Sequence, residues 1–258
     1  SDVCSSDLAF QAKSHDDLER LAAATGAAVE PVGEPGGGFR VLLHEPNGYA
    51  IEVVHGMAAV DPIELERQAI NTVKQPELRV NEAFRLPRNQ PTPVRRLAHI
   101  VIGTPAPVET IAWFRETLGL IVSDEIYTEI GGEQRGAFLR VDEGSKYVDH
   151  HSLYILKSDT VGLQHISFEA QDIDAVLADH HYLKSLGRYR QVWGIGRHLL
   201  GSQVFDYWHD PFGYLHEHWA DTDRFNADVP TGVWAAKDGL INQWGEPPDE
   251  IFRASLQP

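Results

Sequence analysis

Asp210-Pro-Phe-Gly-Tyr-Leu-His-Glu217 and Glu45-Pro-Asn-Gly-Tyr-Ala-Ile-Glu52 share one spacing of turn residues, tyrosine and final carboxylate. In both stretches, the Pro and the Gly predict a turn that leads into a strand. Upstream, Phe10-Gln-Ala and Phe168-Glu-Ala each precede a run in which apolar residues recur with helical periodicity. The chain therefore contains an internal repeat, and this repeat decides the fold.

A third copy of the repeat begins at about residue 98. The segment around His99 is predicted to be a strand, and a helix that carries Ile111, Phe114 and Leu118 follows it and ends at Gly119. Strands with turn signals complete the copy. Each copy thus predicts a β-α-β-β-β module, and the chain as a whole is predicted to have an α+β fold.

The composition limits the classes of function. At 258 residues the chain is long enough for one or two domains with a substantial core. Its net charge of −16 argues against nucleic acid as a partner, because nucleic-acid-binding proteins carry basic patches. No apolar run approaches the roughly 18 residues of a membrane span, so we expect no membrane partner. The single cysteine, Cys4, and the lack of a recognisable signal peptide predict a cytoplasmic location.

His99, His165 and Glu217 are candidate metal ligands, and each lies in a short predicted strand. A lone histidine in a strand is more often structural than a ligand, so the hypothesis rests on the three residues together. Two imidazoles and one carboxylate on one face of an ion leave the opposite face open. This donor set is typical of non-haem Fe(II) oxygenases.

Three further side chains fall between these ligands in the sequence. His151 and His198 are candidate acid/base groups, and Tyr207 adds a phenol. His150 is expected to face away from His151, because neighbours on a strand point to opposite faces. Trp193 is predicted either to line a substrate pocket or to pack in the core.

These residues resemble the type I extradiol (meta-cleaving) catechol dioxygenases of the vicinal oxygen chelate superfamily, which also contains the glyoxalases and bleomycin resistance proteins. The resemblance covers roughly residues 9–56 and 94–225, and its specific part is Gly194-Ile-Gly-Arg-His198, Tyr207, Asp210-Pro-Phe-Gly213 and Glu217. In that family a tyrosine follows the acid/base histidine by nine residues, and the glutamate ligand follows ten later; both intervals hold here. The family also has a catalytic histidine fourteen residues before its second histidine ligand, which His151 matches.

The resemblance implies an Fe(II) site, with Mn(II) as an alternative, held by His99, His165 and Glu217. It implies catalytic roles for His151, His198 and Tyr207, with a catechol and O2 as substrates. Paired modules are expected to form half-open barrels. Whether the chain forms a homo-oligomer is left open.

The same resemblance suggests a division of the chain. Residues 1–8 are expected to be a non-native tail, 9–60 the remaining module of a truncated N-terminal domain, and 61–95 a linker. Residues 96–225 are the predicted catalytic domain, and 226–258 are expected to be an irregular tail packed on it. Glu52, the repeat counterpart of Glu217, is not expected to hold a second metal.

Two other functions compete with ring cleavage. One is a glyoxalase-like or epimerase-like metalloenzyme of the same superfamily, which would not need His198 together with Tyr207. The other is a non-catalytic module that binds small molecules. The complete set of three candidate ligands argues against the second alternative.

Overall fold

The structure is a computed structural model, and it describes residues 8–61, 69–86 and 90–254. The predicted N-terminal tail lies outside these residues except for Leu8, which begins the first strand. Parts of the predicted linker and the last four residues of the chain also lie outside them. No helix in the described part of the chain is long and apolar enough to span a membrane.

The N-terminal copy of the repeat forms a four-stranded sheet with one helix. Its elements are β1 (Leu8–Gln11), α1 (His15–Thr25), β2 (Val29–Pro31), β3 (Phe39–His44) and β4 (Ala50–His55). The strand order is β1-β4-β3-β2, and β1 runs parallel to β4. A first strand beside the last one is the connectivity that the β-α-β-β-β prediction requires.

Two further copies repeat this connectivity. The second consists of β5 (Val94–Thr104), α2 (Pro107–Leu118), β6 (Ile121–Tyr127), β7 (Gln134–Arg140), β8 (Val148–Asp149) and β9 (Leu153–Lys157). The third consists of β10 (Gly162–Ala170), α3 (Ile173–Leu186), β11 (Arg190–His198), β12 (Val204–His209) and β13 (Leu215–Ala220). In each, the first strand is parallel to the last, and the two copies join where β5 pairs antiparallel with β10.

The chain after β13 adds a strand to each edge of the joined sheet. Its elements are β14 (Arg224–Phe225), which pairs with β8, then β15 (Gly232–Ala235), α4 (Ala236–Gly239), β16 (Asn242–Trp244) and α5 (Glu250–Ala254). β15 pairs with β6 and β16 pairs with β11, so the prediction of an irregular tail is wrong for its described part. The reason is that extended segments satisfy the open backbone groups of a sheet edge.

The ten-stranded sheet is strongly curved, as its connections show. Its two edge strands, β15 and β16, are separated by six residues only, 236–241. A chain of that length spans at most roughly 25 Å. Ten strands laid flat would hold the edges roughly 43 Å apart. The sheet must therefore bend so that its two ends approach each other, which encloses its concave face.

Local sequence signals fix the ends of the helices. Ser14 caps α1 in a capping box with Asp17, and Asp172 caps α3 through the amide of Ala175. Helix α2 begins at Pro107 and is followed by Gly119, whose φ of 71° is unfavourable for residues with a side chain.

The N-terminal copy shares a core with the second copy. Leu18 of α1 and Ile51 of β4 are fully buried in one apolar cluster with Phe114 of α2. Between the copies, the hydroxyl of Tyr49 donates to the carbonyl of Gly103 (2.5 Å) and accepts from the amide of Gly162 (2.9 Å). The N-terminal sheet is thus attached at the point where β5 ends and β10 begins.

Tyr49→Phe is expected to lower the free energy of unfolding by about 1–3 kcal/mol, because it leaves a buried carbonyl and amide without their partner. Urea unfolding followed by circular dichroism measures this loss. Tyr147→Phe removes an exposed hydroxyl and serves as the control. Equal stability of the two variants would contradict the structural role of Tyr49.

Candidate metal centre

The three predicted ligands come from neighbouring strands of the curved sheet. Ser167 on β10 is in register with His99 on β5 and with Glu217 on β13. Residues in register on adjacent strands point to the same face, and His165, two residues before Ser167, points there as well. The strand pairing therefore brings His99, His165 and Glu217 together.

Their ligand atoms lie at distances that suit one ion. Nε2 of His99 is 2.9 Å from Oε2 of Glu217 and 3.4 Å from Nε2 of His165. Nε2 of His165 is 3.5 Å from the same carboxylate oxygen. Donors at about 2.1 Å from an ion stand about 3.0 Å apart at right angles and about 3.4 Å apart in a tetrahedron. The observed distances span this range.

The surroundings of Glu217 favour a bound cation. The carboxylate is completely buried, and its Oε1 has no hydrogen-bond partner among the described residues. Ser167 donates to Oε2 at 2.5 Å, and Gln164 contacts Nδ1 of His165 through its side-chain oxygen. A buried carboxylate with an unsatisfied oxygen is costly unless a charge compensates it. The residues present therefore fit a divalent metal ion.

Burial and neighbouring charges shift the titration of these groups. Burial alone would raise the pKa of Glu217, but the imidazole of His99 and those of His165 and His198 hold it well below its usual range. Burial lowers the pKa of His165 to about 4, against the effect of Glu217. Near neutral pH the site therefore offers a carboxylate and a neutral imidazole, the forms that bind metals.

The metal-free protein is expected to lose stability on acidification. Because the pKa of His165 is about 4 when folded and about 6.5 when unfolded, the unfolded chain takes up the proton first. The free energy of unfolding therefore decreases as the pH falls from about 6.5 towards 4. At pH 5, His165 accounts for about 2 kcal/mol of this decrease. Urea unfolding at pH 7.5 and 5.0 measures the loss.

His165→Gln should reduce this pH dependence, whereas exposed His181→Gln should leave it unchanged. If both variants lose as much stability as the unaltered chain between the two pH values, His165 is not the group responsible.

His198 and Tyr207 form a pair beside Glu217. Nε2 of His198 lies 3.0 Å from the hydroxyl of Tyr207 and 3.6 Å from Oε1 of Glu217. Tyr207 on β12 is in register with Glu217, which explains why its side chain points into the site. Burial, followed by the charge of Glu217, raises the pKa of Tyr207 well above its usual value, so the phenol keeps its proton.

His151 lies on another flank of the ligand set. Its ring centroid is 4.2 Å from that of His99, and the side chain is buried. Burial, and then the neighbouring His99, lower the pKa of His151 well below its usual value. The imidazole is therefore neutral at neutral pH and able to accept a proton.

The expectation that His150 faces away from His151 is wrong. Residues 150–152 connect β8 to β9 and do not form a strand, so neighbouring side chains need not alternate. His150 is buried, and its Nδ1 lies 3.0 Å from Nδ1 of His151. The two histidines are thus hydrogen-bonded to each other.

Aromatic side chains form the wall beyond Tyr207. Trp193 stacks on Tyr207 with a centroid distance of 5.3 Å, and Phe205 stacks on His198 at 4.0 Å. Phe252 of α5 lies 5.0 Å from Tyr207 and 4.5 Å from Trp193. Trp193 packs in a buried cluster with Phe205 and Tyr207, as the core-packing alternative predicts.

Part of the chain matches a protein-family model. Residues 96–217 match the model of the Glyoxalase/Bleomycin resistance protein/Dioxygenase superfamily. The matched segment begins within β5 and ends at Glu217, so it contains all three candidate ligands.

A sequence relative of the chain is Metapyrocatechase 2 of Cupriavidus necator. The chain is 37% identical to it over 160 residues, which are 61% of this chain and 47% of that protein. The chain thus spans about half the length of this curated relative.

Two solved structures share the fold of the chain. A Mn(II)-bound glyoxalase from Novosphingobium aromaticivorans has a TM-score of 0.74 at 22% identity, over 95% of this chain and 73% of that one. Homoprotocatechuate 2,3-dioxygenase from Brevibacterium fuscum, in an anaerobic complex with 3,4-dihydroxyphenylacetate, has a TM-score of 0.72 at 19% identity, over 97% of this chain and 73% of that one. These likenesses confirm the predicted α+β fold.

Sequence reasoning missed several residues of the site. Ser167 could have been found, because it lies two residues after His165 on the same face of a predicted strand. Phe252 carried no such signal, since it reaches the site from the C-terminal segment. Its role depends on tertiary contacts alone.

Proposed function

We propose that this chain is an Fe(II)-dependent extradiol dioxygenase, which cleaves the ring of a catechol and inserts both atoms of O2. One observation carries the proposal. A buried set of His99, His165 and Glu217 has His151 on the flank of His99 and the His198–Tyr207 pair on the flank of Glu217. The relative named Metapyrocatechase 2 supports the same reaction class.

His99, His165 and Glu217 would hold the iron ion, which when bound would bring the catechol and O2 together and allow electron density to pass between them. The remaining tasks fall to the protein. One catechol hydroxyl must lose a proton on binding, and a proton must be returned when the ring opens. Both tasks require side chains that exchange protons near neutral pH.

His198 and Tyr207 would assist the loss of the proton that a catechol hydroxyl gives up on binding. With Nε2 of His198 at 3.0 Å from the hydroxyl of Tyr207, the pair offers one imidazole and one phenol to the same substrate oxygen. Because its pKa is raised, Tyr207 remains a phenol and donates a hydrogen bond to an ionised catechol oxygen. This contact stabilises the deprotonated substrate and fixes its orientation.

His151 would return the proton that is needed when the ring opens. It is neutral in its buried position, and it lies against His99 instead of Glu217. A neutral imidazole on this flank can take a proton from one reacting oxygen and return it to another. The aromatic wall of Trp193, Phe205 and Phe252 excludes water from the ring and offers flat apolar contacts to it.

The proposal is tested by loading the metal-free protein anaerobically with Fe(II), and in parallel with Mn(II) and Zn(II). Unsubstituted and substituted catechols are then added with O2. We expect a yellow ring-fission product and one O2 consumed per catechol with Fe(II) or Mn(II), and none with Zn(II). A protein that binds iron stoichiometrically but leaves every catechol intact contradicts the proposal.

A glyoxalase-like or epimerase-like activity is the second candidate, and the structural similarity to a Mn(II)-bound glyoxalase favours it. Such an enzyme has no need of O2 or of the His198–Tyr207 pair. Turnover of a hemithioacetal or epimerisable substrate under anaerobic conditions, with full activity in Tyr207→Phe, would support this candidate over ring cleavage.

A further inference from the structure

A continuous line of hydrogen bonds leads from His151 away from the metal centre. Nδ1 of His151 lies 3.0 Å from Nδ1 of His150, and Nε2 of His150 lies 2.6 Å from Oδ2 of Asp124. The indole of Trp234 donates to Oδ1 of Asp124 at 2.7 Å. His151, His150 and Asp124 are all buried.

The chemistry of these groups fixes the direction of each hydrogen bond. An indole N–H only donates, and a carboxylate only accepts. Nε2 of His150 must therefore carry the hydrogen that it shares with Asp124. A neutral imidazole with its hydrogen on Nε2 is an acceptor at Nδ1. The contact between the two Nδ1 atoms then requires the hydrogen to be on Nδ1 of His151.

We propose that Asp124 and His150 are positioning residues that hold His151 in the tautomer with hydrogen on Nδ1, so that Nε2 is its proton acceptor. The role of that acceptor in turnover rests on the proposed ring-cleaving function. The tautomer itself does not, because it follows from contacts between side chains of the protein.

The surrounding structure holds His150 firmly in this geometry. Ser123 donates to the backbone carbonyl of His150 at 2.5 Å, and Arg140 donates to the hydroxyl of Ser123 at 2.9 Å. A Cβ at Gly201 would lie 3.2 Å from Nδ1 of His150, so glycine leaves room for the imidazole. These contacts hold the backbone of His150 in place, and Gly201 leaves room for its ring.

Asp124→Asn exchanges donor and acceptor in the two hydrogen bonds of His150, and the arrangement of the side chains stays the same. The amide oxygen of asparagine can still accept from Trp234, so the amide nitrogen faces Nε2 of His150 and donates to it. His150 then carries its hydrogen on Nδ1 and donates to His151. His151 is forced into the opposite tautomer, with hydrogen on Nε2 and no acceptor left for the substrate side.

The tautomer is measured by ¹⁵N NMR of the metal-free protein at pH 7.5, with labelled histidine and with the His151 signals assigned by their loss in His151→Phe. We expect hydrogen on Nδ1 of His151 in the unaltered chain and on Nε2 in Asp124→Asn. In His150→Phe, where no group sets the preference, both tautomers are expected. Glu125→Gln, on the same strand, is the control and should leave the tautomer unchanged.

Turnover gives a second readout. Asp124→Asn is expected to keep its metal and its affinity for catechol but to lose about 10²–10⁴-fold in kcat. Hydrogen on Nε2 of His151 in the unaltered chain overturns the proposal whether or not the variants fold. The same Nδ1 tautomer in Asp124→Asn and His150→Phe also overturns it. If the tautomers behave as expected but no catechol is cleaved by the unaltered chain, the proposed function fails and the positioning role stands.

Discussion

Glu217→Ala is expected to abolish metal binding, and with it all turnover. The carboxylate is the only anionic member of the ligand set, and its oxygen lies within 2.9 Å of one histidine and 3.5 Å of the other. Without it, two neutral imidazoles remain, and two protein ligands hold a divalent ion weakly. The metal content, measured after anaerobic loading and gel filtration, should fall from about one ion per chain to nearly none.

Glu52→Ala provides the control, because Glu52 occupies the same position in the N-terminal copy of the repeat. There the carboxylate accepts a hydrogen bond from Arg40 at 2.6 Å. This variant should retain the metal and the activity. Stoichiometric iron in Glu217→Ala, or its loss in Glu52→Ala, would show that the ligand set has been assigned to the wrong residues.

His151→Phe is expected to separate binding from turnover. The side chain is not among the three ligands, so the variant should load iron fully and bind catechol with unchanged affinity. It removes the neutral imidazole beside His99, and the loss of a general acid/base typically lowers turnover by about 10²–10⁴-fold. Iron content, anaerobic catechol titration and single-turnover rates measure the three properties separately.

His216→Phe is the control for this substitution. His216 stacks on Phe168 and lies one residue before Glu217, on the opposite face of the strand. It should leave iron content, affinity and rate unchanged. A wild-type rate in His151→Phe would remove His151 from the reaction, and the hydrogen-bonded His150 would be the next residue to test.

The repeat made most of the fold predictable. Turn residues and helical periodicity recur in each copy, and the first strand of a β-α-β-β-β module has few partners other than its last strand. Residues that are two apart on a strand, or in register on neighbouring strands, share a face, so the proximity of His99, His165 and Glu217 follows from the topology. The turn residues and the helical periodicity are local in the sequence, and so they can be predicted from it.

The parts that escaped prediction depend on contacts distant in the sequence. The prediction that His150 faces away from His151 assumed the alternation of a strand, but the strand ends at Asp149. The edge strands β15 and β16 have weak patterns of their own and are stabilised by the sheet that they complete. The buried partner of His150, Asp124, lies 26 residues away with no motif to link the two.

The antiparallel pairing of β5 with β10 divides the ligand set unequally between two copies of one module. The second copy contributes His99, and the third contributes His165 and Glu217, so neither copy holds a site alone. An ion bound there is a cross-link between the two halves, in addition to the backbone hydrogen bonds between β5 and β10 and the connection at residues 158–161. The free energy of metal binding is therefore added to the free energy that keeps the two halves together. The candidate binding site therefore lies at the boundary between two copies of the module.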